Sequence, residues 1–350
     1  MLVGTVMRLS QWKATAFVPI ILLLTVGVGR GAVTLDALGL YLTKNGYGGA
    51  QLIRVGNFYH LPIISNGKPA NLIIDTGSPA TLIFRSSLNA LGLTESKTNA
   101  PVSSVFGQSR EFYGTSTIKT LTAGNCTFTD VPVAVIPPLI DSSRYGNPSG
   151  VLGLRELNKF GAVLDLSHRL VYFRPPRPSF EAGYTTRLVR TNNGWRPVAP
   201  GAEVSEIMHS ILTQQGWTPI AFSIVSRHLR VPATVNGVSC YLRIDTGAHL
   251  TMLDADFAKR AKIGGVRTRI SAQGIGKSSG DISLAVFPSL RIGTYGMESG
   301  SAMIGVLDPE AIGRGTESEV AGLLGIEHLA MNLAIFDFVT RMVYLRSPPR

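Results

Sequence analysis

An apolar run that ends in Asp-Thr-Gly occurs twice in this chain, as NLIIDTGSPATLIF at residues 71–84 and as YLRIDTGAHLTML at residues 241–253. Asp245 stands 170 positions after Asp75, and the same offset relates YLTKNGYGGAQL (Tyr41 to Leu52) to ILTQQGWTPIAF (Ile211 to Phe222). Further on, GVLGLRELNKFGAVLDLSHRLVYFR (Gly150 to Arg174) matches GLLGIEHLAMNLAIFDFVTRMVYLR (Gly322 to Arg346) at an offset of 172. A repeat whose period is near half the chain means two copies of one domain rather than a solenoid. The expected organisation is therefore a leader over residues 1–32, a first copy over 33–176, a linker over 177–203 and a second copy over 204–350.

Each copy reads as mostly β. Gly is frequent (38 of 350 residues) and charged residues make up only 16%, which suits a turn-rich β protein better than a helical one. A short helix opens each copy, seen most clearly in the helical spacing of Val204, Ile207, Met208, Ile211 and Leu212. Asn66-Gly67 and Asn236-Gly237 predict tight hairpins, and the strand after each hairpin runs into Asp-Thr-Gly. A Gly-rich hairpin, further strands, a Leu-Gly turn, a short helix and a last strand carrying Tyr172 or Tyr344 follow. The Pro-, Gly- and Asn-rich linker reads as a connector with one strand of its own.

Composition narrows the function. The net charge is +11, but no run of five or more Lys or Arg exists, so a solvated basic surface is expected and a nucleic-acid partner is not. With two cysteines, Cys126 and Cys240, there is no disulfide framework, and two separate buried thiols are expected. Arg8 and Lys13 precede the apolar stretch Ala14 to Gly29, a pattern of an export signal, either cleaved or retained as a membrane anchor. The expected location is thus the periplasm or the exterior.

Two Asp-Thr-Gly turns in duplicated domains can do what one cannot. Duplicated domains often pack about a pseudo-two-fold axis, which would bring Asp75 and Asp245 together. Two close carboxylates cannot both ionise easily and share a proton, giving an acid and a base beside one water. That equipment hydrolyses a bond with no metal, cofactor or covalent intermediate.

At these residues the chain resembles the aspartic proteases, and among them the retropepsin-type family, as two fused copies of a bacterial-type aspartyl protease. The resemblance rests on Ile74-Asp75-Thr76-Gly77-Ser78 and Ile244-Asp245-Thr246-Gly247-Ala248, and on Val151-Leu152-Gly153 and Leu323-Leu324-Gly325. It extends to Ala272-Gln273-Gly274-Ile275-Gly276-Lys277, close to a glycine-rich flap tip, and to the poorer Val105-Phe106-Gly107-Gln108. It implies tandem retropepsin-like β-barrel domains with Asp75 and Asp245 as the catalytic pair. Thr76 and Thr246 would cross-link the two loops, and the Gly77 and Gly247 amides would hold the carboxylates. Flaps at about Ser104 to Gly114 and Ala272 to Gly280, with Phe106, Gly107, Gly274, Ile275 and Gly276 at the substrate, would close over an extended peptide of a peptide or protein substrate. The active unit would be a monomer holding an intramolecular pseudo-dimer. The helices and the linker exceed a minimal retropepsin core.

One asymmetry stands out. Ser78 carries an oxygen that could donate to Asp75, whereas Ala248 has none, so Asp75 is expected to be the better-stabilised anion. His249 reads as a turn-adjacent surface histidine rather than a tuner of the dyad. The matched Asp165 and Asp337 read as strand-end hydrogen-bond acceptors, and Asp254 with Asp256 as a helix start. The remaining histidines fall in no ligand spacing, so no metal site is expected. Gly274-x-Gly276 does not join a strand to a helix and is no nucleotide loop. The expected activity is an aspartic endopeptidase. The alternative is an exported module that keeps the fold and binds peptides or a partner without cleaving them.

Overall fold

A computed structural model of the chain describes residues 33–104, 107–137, 145–174, 187–191, 194–198, 202–273, 279–286, 289–297, 301–305 and 320–348. The leader at residues 1–32 lies outside the described residues. Among the described residues no helix is long and apolar enough to cross a membrane.

Each half is organised around its own mixed sheet. In the first, the strands Phe58–Ser65 and Lys68–Asp75 form the expected hairpin, with Asn66 at φ 49° and Gly67 at φ 80°. The second repeats it with His228–Val235 and Val238–Ile244, with Asn236 at φ 49° and Gly237 at φ 82°. Both turn residues need positive φ, which is why Asn-Gly stands at both places. Next to Lys68–Asp75 runs the parallel strand Gly150–Gly153, followed by the antiparallel Leu82–Phe84. The counterpart in the second half is Val320–Leu324, parallel to Val238–Ile244 and antiparallel to Met252–Asp254. This central insertion needs a bare backbone. A Cβ on Gly150 would lie 2.0 Å from the Leu82 carbonyl oxygen, and one on Gly322 would lie 2.0 Å from that of Met252.

A third sheet joins the halves. Its six strands run in the order Gly48–Gln51, Leu170–Phe173, Val163–Asp165, Ile335–Asp337, Met342–Leu345, Thr218–Ala221. The order is palindromic with respect to the repeat. At its centre Val163 pairs with Asp337, Leu164 with Phe336 and Asp165 with Ile335, so equivalent strands meet antiparallel about a pseudo-two-fold. Thr34–Arg350 accordingly forms one compact unit.

The opening helices, Val33–Lys44 and Ala202–Gln214, cover one face of this shared sheet. Leu38, Leu42, Met208 and Leu212 are buried there with Tyr172, Trp217, Ile335 and Tyr344. Full burial of each such side chain is worth about 1.5–3 kcal/mol, so the helices help clamp the halves together. Leu164, Val171, Phe336 and Val343 point the other way, into the main core, as alternation along a strand requires. The linker differs from expectation. It carries two strands, Arg187–Thr191 and Gly194–Val198, which pair only with each other among the described residues.

Cys126 and Cys240 are free and buried, as the spacing led one to expect. Burial pushes the Cys240 thiol up to about 12. Asp165 accepts from Ser167 Oγ and from the His168 amide, and Asp337 from the Val339 amide and Thr340 Oγ1. Both carboxylates therefore close the turns at their strand ends. Asp254 caps the helix Ala255–Arg260 by accepting from the amides of Asp256 and Phe257.

Candidate active site

The apolar strands Lys68–Asp75 and Val238–Ile244 deliver two turns that meet between the halves. Their contact is reciprocal. Thr76 donates its amide to Thr246 Oγ1 at 3.0 Å, and Thr246 donates its amide to Thr76 Oγ1 at 3.1 Å. The hydroxyls then donate across: Thr76 Oγ1 to the Ile244 carbonyl at 3.1 Å, and Thr246 Oγ1 to the Ile74 carbonyl at 2.8 Å. Both threonines are buried, so four buried backbone groups find their partners through two hydroxyls.

This clasp fixes the carboxylates. Asp75 Oδ1 accepts from the Gly77 amide at 2.8 Å and from the Ser78 amide at 3.0 Å, and Asp245 Oδ1 accepts from the Gly247 amide at 3.0 Å. Each glycine also abuts the carboxylate of the other half. A Cβ on Gly77 would lie 2.3 Å from Asp245 Cγ, and one on Gly247 would lie 2.5 Å from Asp75 Cγ. Glycine is required at both places so that the two acids can stand side by side. Each Asp retains 8% of its exposure, enough for one edge of each to face out of the protein. Burial first, and the negative charge of Asp245 second, push the Asp75 carboxyl up to about 7.

Behind each turn a threonine six residues further on ties it to the Leu-Gly strand. Thr81 Oγ1 accepts from the Gly153 amide at 3.2 Å, and Thr251 Oγ1 accepts from the Gly325 amide at 3.0 Å. Buried Glu156 receives the Thr81 amide at 3.1 Å and its hydroxyl at 2.6 Å. In the second half the Thr251 amide goes to Glu327 and its hydroxyl meets His328 Nδ1 at 2.8 Å. Glu156→Ala leaves the buried Thr81 amide unpaired, so a loss of about 1–3 kcal/mol in urea unfolding is expected. Glu156→Gln, which keeps an acceptor, should lose clearly less.

The family model for aspartyl proteases matches the chain twice, over residues 61–155 and 231–328. The chain belongs to the aspartyl protease family. Among solved structures, the retropepsin-like aspartic protease from Rickettsia conorii is 21% identical, with a TM-score of 0.26 over 38% of this chain and 91% of that one. The EIAV protease complexed with the inhibitor HBY-793 is 13% identical, with a TM-score of 0.24 over 31% of this chain and 89% of that one. No curated protein matches the sequence. The two matched stretches each contain one Asp-Thr-Gly turn and one Leu-Gly strand.

The remaining sequence-derived residues fall as follows. Ser78 does not use its hydroxyl on Asp75. Ser78 Oγ donates to the Ala80 carbonyl at 2.7 Å, and it is the Ser78 backbone amide that reaches the carboxylate. The expected source of a better-stabilised Asp75 anion is therefore not the one in use, because the hydroxyl is spent on a backbone carbonyl of its own turn. Ala248, its counterpart, packs against the cluster of Met252, Ile282, Val320 and Leu323. His249 is exposed, with Nε2 3.2 Å from Asn57 Nδ2 and its ring 6.0 Å from that of Phe58, so it bridges the halves at the surface. The strands Ser96–Ser104 with Gly107–Ala123, and Val266–Gln273 with Ser279–Val286, form hairpins where flaps were expected. Gly107 opens the second strand of the first hairpin; Phe106, Gly274, Ile275 and Gly276 lie outside the described residues.

One residue of the site escaped the sequence reading. Arg243, two positions before Asp245, is 5% exposed and donates through Nη2 to the Gly77 carbonyl of the other half. A charged residue in the run Leu242-Arg243-Ile244, where the first copy has Leu72-Ile73-Ile74, was the available signal.

Proposed function

We propose that this chain is an aspartic endopeptidase in which Asp75 and Asp245 share one proton and activate a water for attack on a peptide carbonyl. The observation that carries this reading is the reciprocal packing of each Asp-Thr-Gly turn on the carboxylate of the other. Two carboxylates held this closely suppress each other's ionisation, so one acts as base toward the water while the other donates a hydrogen bond to the carbonyl oxygen. The pair titrates as a unit, and its proton belongs to both. A tetrahedral diol would form directly, and its collapse would need a proton on the leaving nitrogen, which the dyad can return.

The antiparallel hairpins at Ser96–Ser104 with Gly107–Ala123 and at Val266–Gln273 with Ser279–Val286 would serve as flaps. An extended substrate would pair with them as an added strand. The basic leader-like N-terminus supports an exported enzyme. A module that only binds peptides has no use for two buried acids in contact, whose desolvation and repulsion cost stability.

The test is incubation of the protein with an unbiased peptide library from acid to neutral pH, with new termini read by mass spectrometry. Cleavage by the wild type, absent from folded Asp75→Asn, is the expected result. A folded wild type that yields no new termini at any pH would end the proteolytic reading.

A further inference from the structure

The two halves differ most, next to the dyad, at Arg243. Side chains alternate along a strand, so Arg243 lies on the same face as Asp245, and Ile73 lies on the same face as Asp75. Ile73 is buried and apolar, and it has no donor to offer. Arg243 is a guanidinium, equally buried, that crosses to the other half and donates to the Gly77 carbonyl. That carbonyl belongs to the same peptide group as the Ser78 amide, which donates to Asp75 Oδ1 at 3.0 Å. A polarised carbonyl makes its own N–H a stronger donor, so Arg243, the Gly77–Ser78 peptide and Asp75 form one chain of aligned hydrogen bonds. Both turns share a main-chain bond, from the Ser78 amide to the Asp75 carbonyl at 3.3 Å and from the Ala248 amide to the Asp245 carbonyl at 3.2 Å, but it is the Ser78 amide that also reaches its carboxylate.

We propose that Arg243 is a positioning residue that sets the pH range over which the dyad holds a single proton. The inference rests on the peptidase reading for its meaning but not for its test. A fixed positive charge beside two buried acids favours their ionised forms, so it lowers the pH at which each proton of the pair leaves. It also repays part of the penalty of burying two carboxylates at all. Burial and mutual repulsion raise the Asp75 carboxyl, while Arg243 and the two amides act against that rise.

Several charged and titratable groups among the described residues face Arg243. Burial works against the charge on Arg243 and lowers its pKa, while Asp245 and then Asp75 favour the charged form. On the neighbouring strand His228–Val235, burial first and Arg243 second lower His228 to about 4, which favours the neutral imidazole. Arg230 stands directly opposite Arg243 in the strand register. It is turned aside, with its guanidinium 4.8 Å from the Tyr241 ring and Nε donating to Ser223 Oγ at 3.2 Å.

Three variants separate charge from shape. Arg243→Gln keeps an N–H donor for the Gly77 carbonyl and removes the charge, Arg243→Lys keeps the charge, and Arg243→Met removes both. The readouts are carboxyl titration by NMR on protein labelled with 13C-aspartate, and the pH profile of kcat and KM on a cleaved peptide. In Gln and Met variants both limbs should move to higher pH by about one unit or more, the usual effect of an opposite charge on a carboxyl. The Lys variant should titrate close to the wild type. The shift should appear in kcat rather than KM. Coincident titrations for wild type, Gln and Lys would overturn the proposal and leave Arg243 a space-filling residue. If Met fails to fold, the Gln and Lys pair still decides. The NMR titration needs no substrate, so a wild type that cleaves nothing would count against the peptidase reading while the role of Arg243 is still read directly.

Discussion

Asp75→Asn, Asp245→Asn and the double variant should all fall to one residual level of cleavage, at least about 10²–10⁴-fold below the wild type. The equality is the telling part. A shared proton needs two carboxyls, so removing either acid removes the whole device, and removing the second costs nothing further. Two independent sites would instead leave half the activity in each single variant. A second readout needs no substrate. The Asp75 carboxyl is raised from the ordinary aspartate value of 3.8 to about 7 by burial and by Asp245. Between those values the folded protein holds a proton that the unfolded chain has released, so folding stability should fall as pH rises across that window. Asp75→Asn cannot ionise and should flatten that fall in urea unfolding followed from acid to neutral pH. A wild-type stability that rises over this range would contradict the burial and pairing of the two acids.

The parts of this molecule that were legible in the sequence are those in which one residue type does one local job. Asn66-Gly67 and Asn236-Gly237 must take positive φ, Asp254 must cap a helix, and Asp165 and Asp337 must close turns, and each of these is decided within a few residues. The threonine clasp, which spans 170 residues, was expected only through the resemblance to the aspartic proteases and not from any local rule. What could not be read depended on orientation or on pairing between the halves. The Ser78 hydroxyl was expected on the Asp75 carboxylate but donates to the Ala80 carbonyl, a choice made by the path of the turn. The six-stranded sheet joins the halves through Val163–Asp165 and Ile335–Asp337, and nothing in two short apolar strands says that they pair with each other. Arg243 left a trace, a charge in a buried apolar run, but its partner is a carbonyl and every carbonyl looks alike in a sequence.

Breaking the threonine clasp should be the most destabilising change of equal size in the chain. Thr76→Val keeps shape and β-branching, yet it strands the Thr246 amide and the Ile244 carbonyl in a buried place. Thr246→Val does the same to the Thr76 amide and the Ile74 carbonyl. An unpaired buried group costs about 1–3 kcal/mol, so each variant should lose roughly 2–5 kcal/mol in urea unfolding. Serine at either position retains the hydroxyl and should restore most of that loss. The four bonds are distinct, so a rigid clasp would make the two valine costs additive. The groups lie at the contact between the halves, however, and the first valine lets that contact loosen and admit water. The double variant is therefore expected to lose less than the sum, a departure that a double-mutant cycle measures directly. Activity should fall further than stability predicts even where the variants remain folded. The clasp sets the spacing of Asp75 and Asp245, and a misplacement of about 1 Å in a positioned group costs on the order of 10²-fold in rate. Full cleavage by folded Thr76→Val would show that the glycine packing alone holds the acids in register.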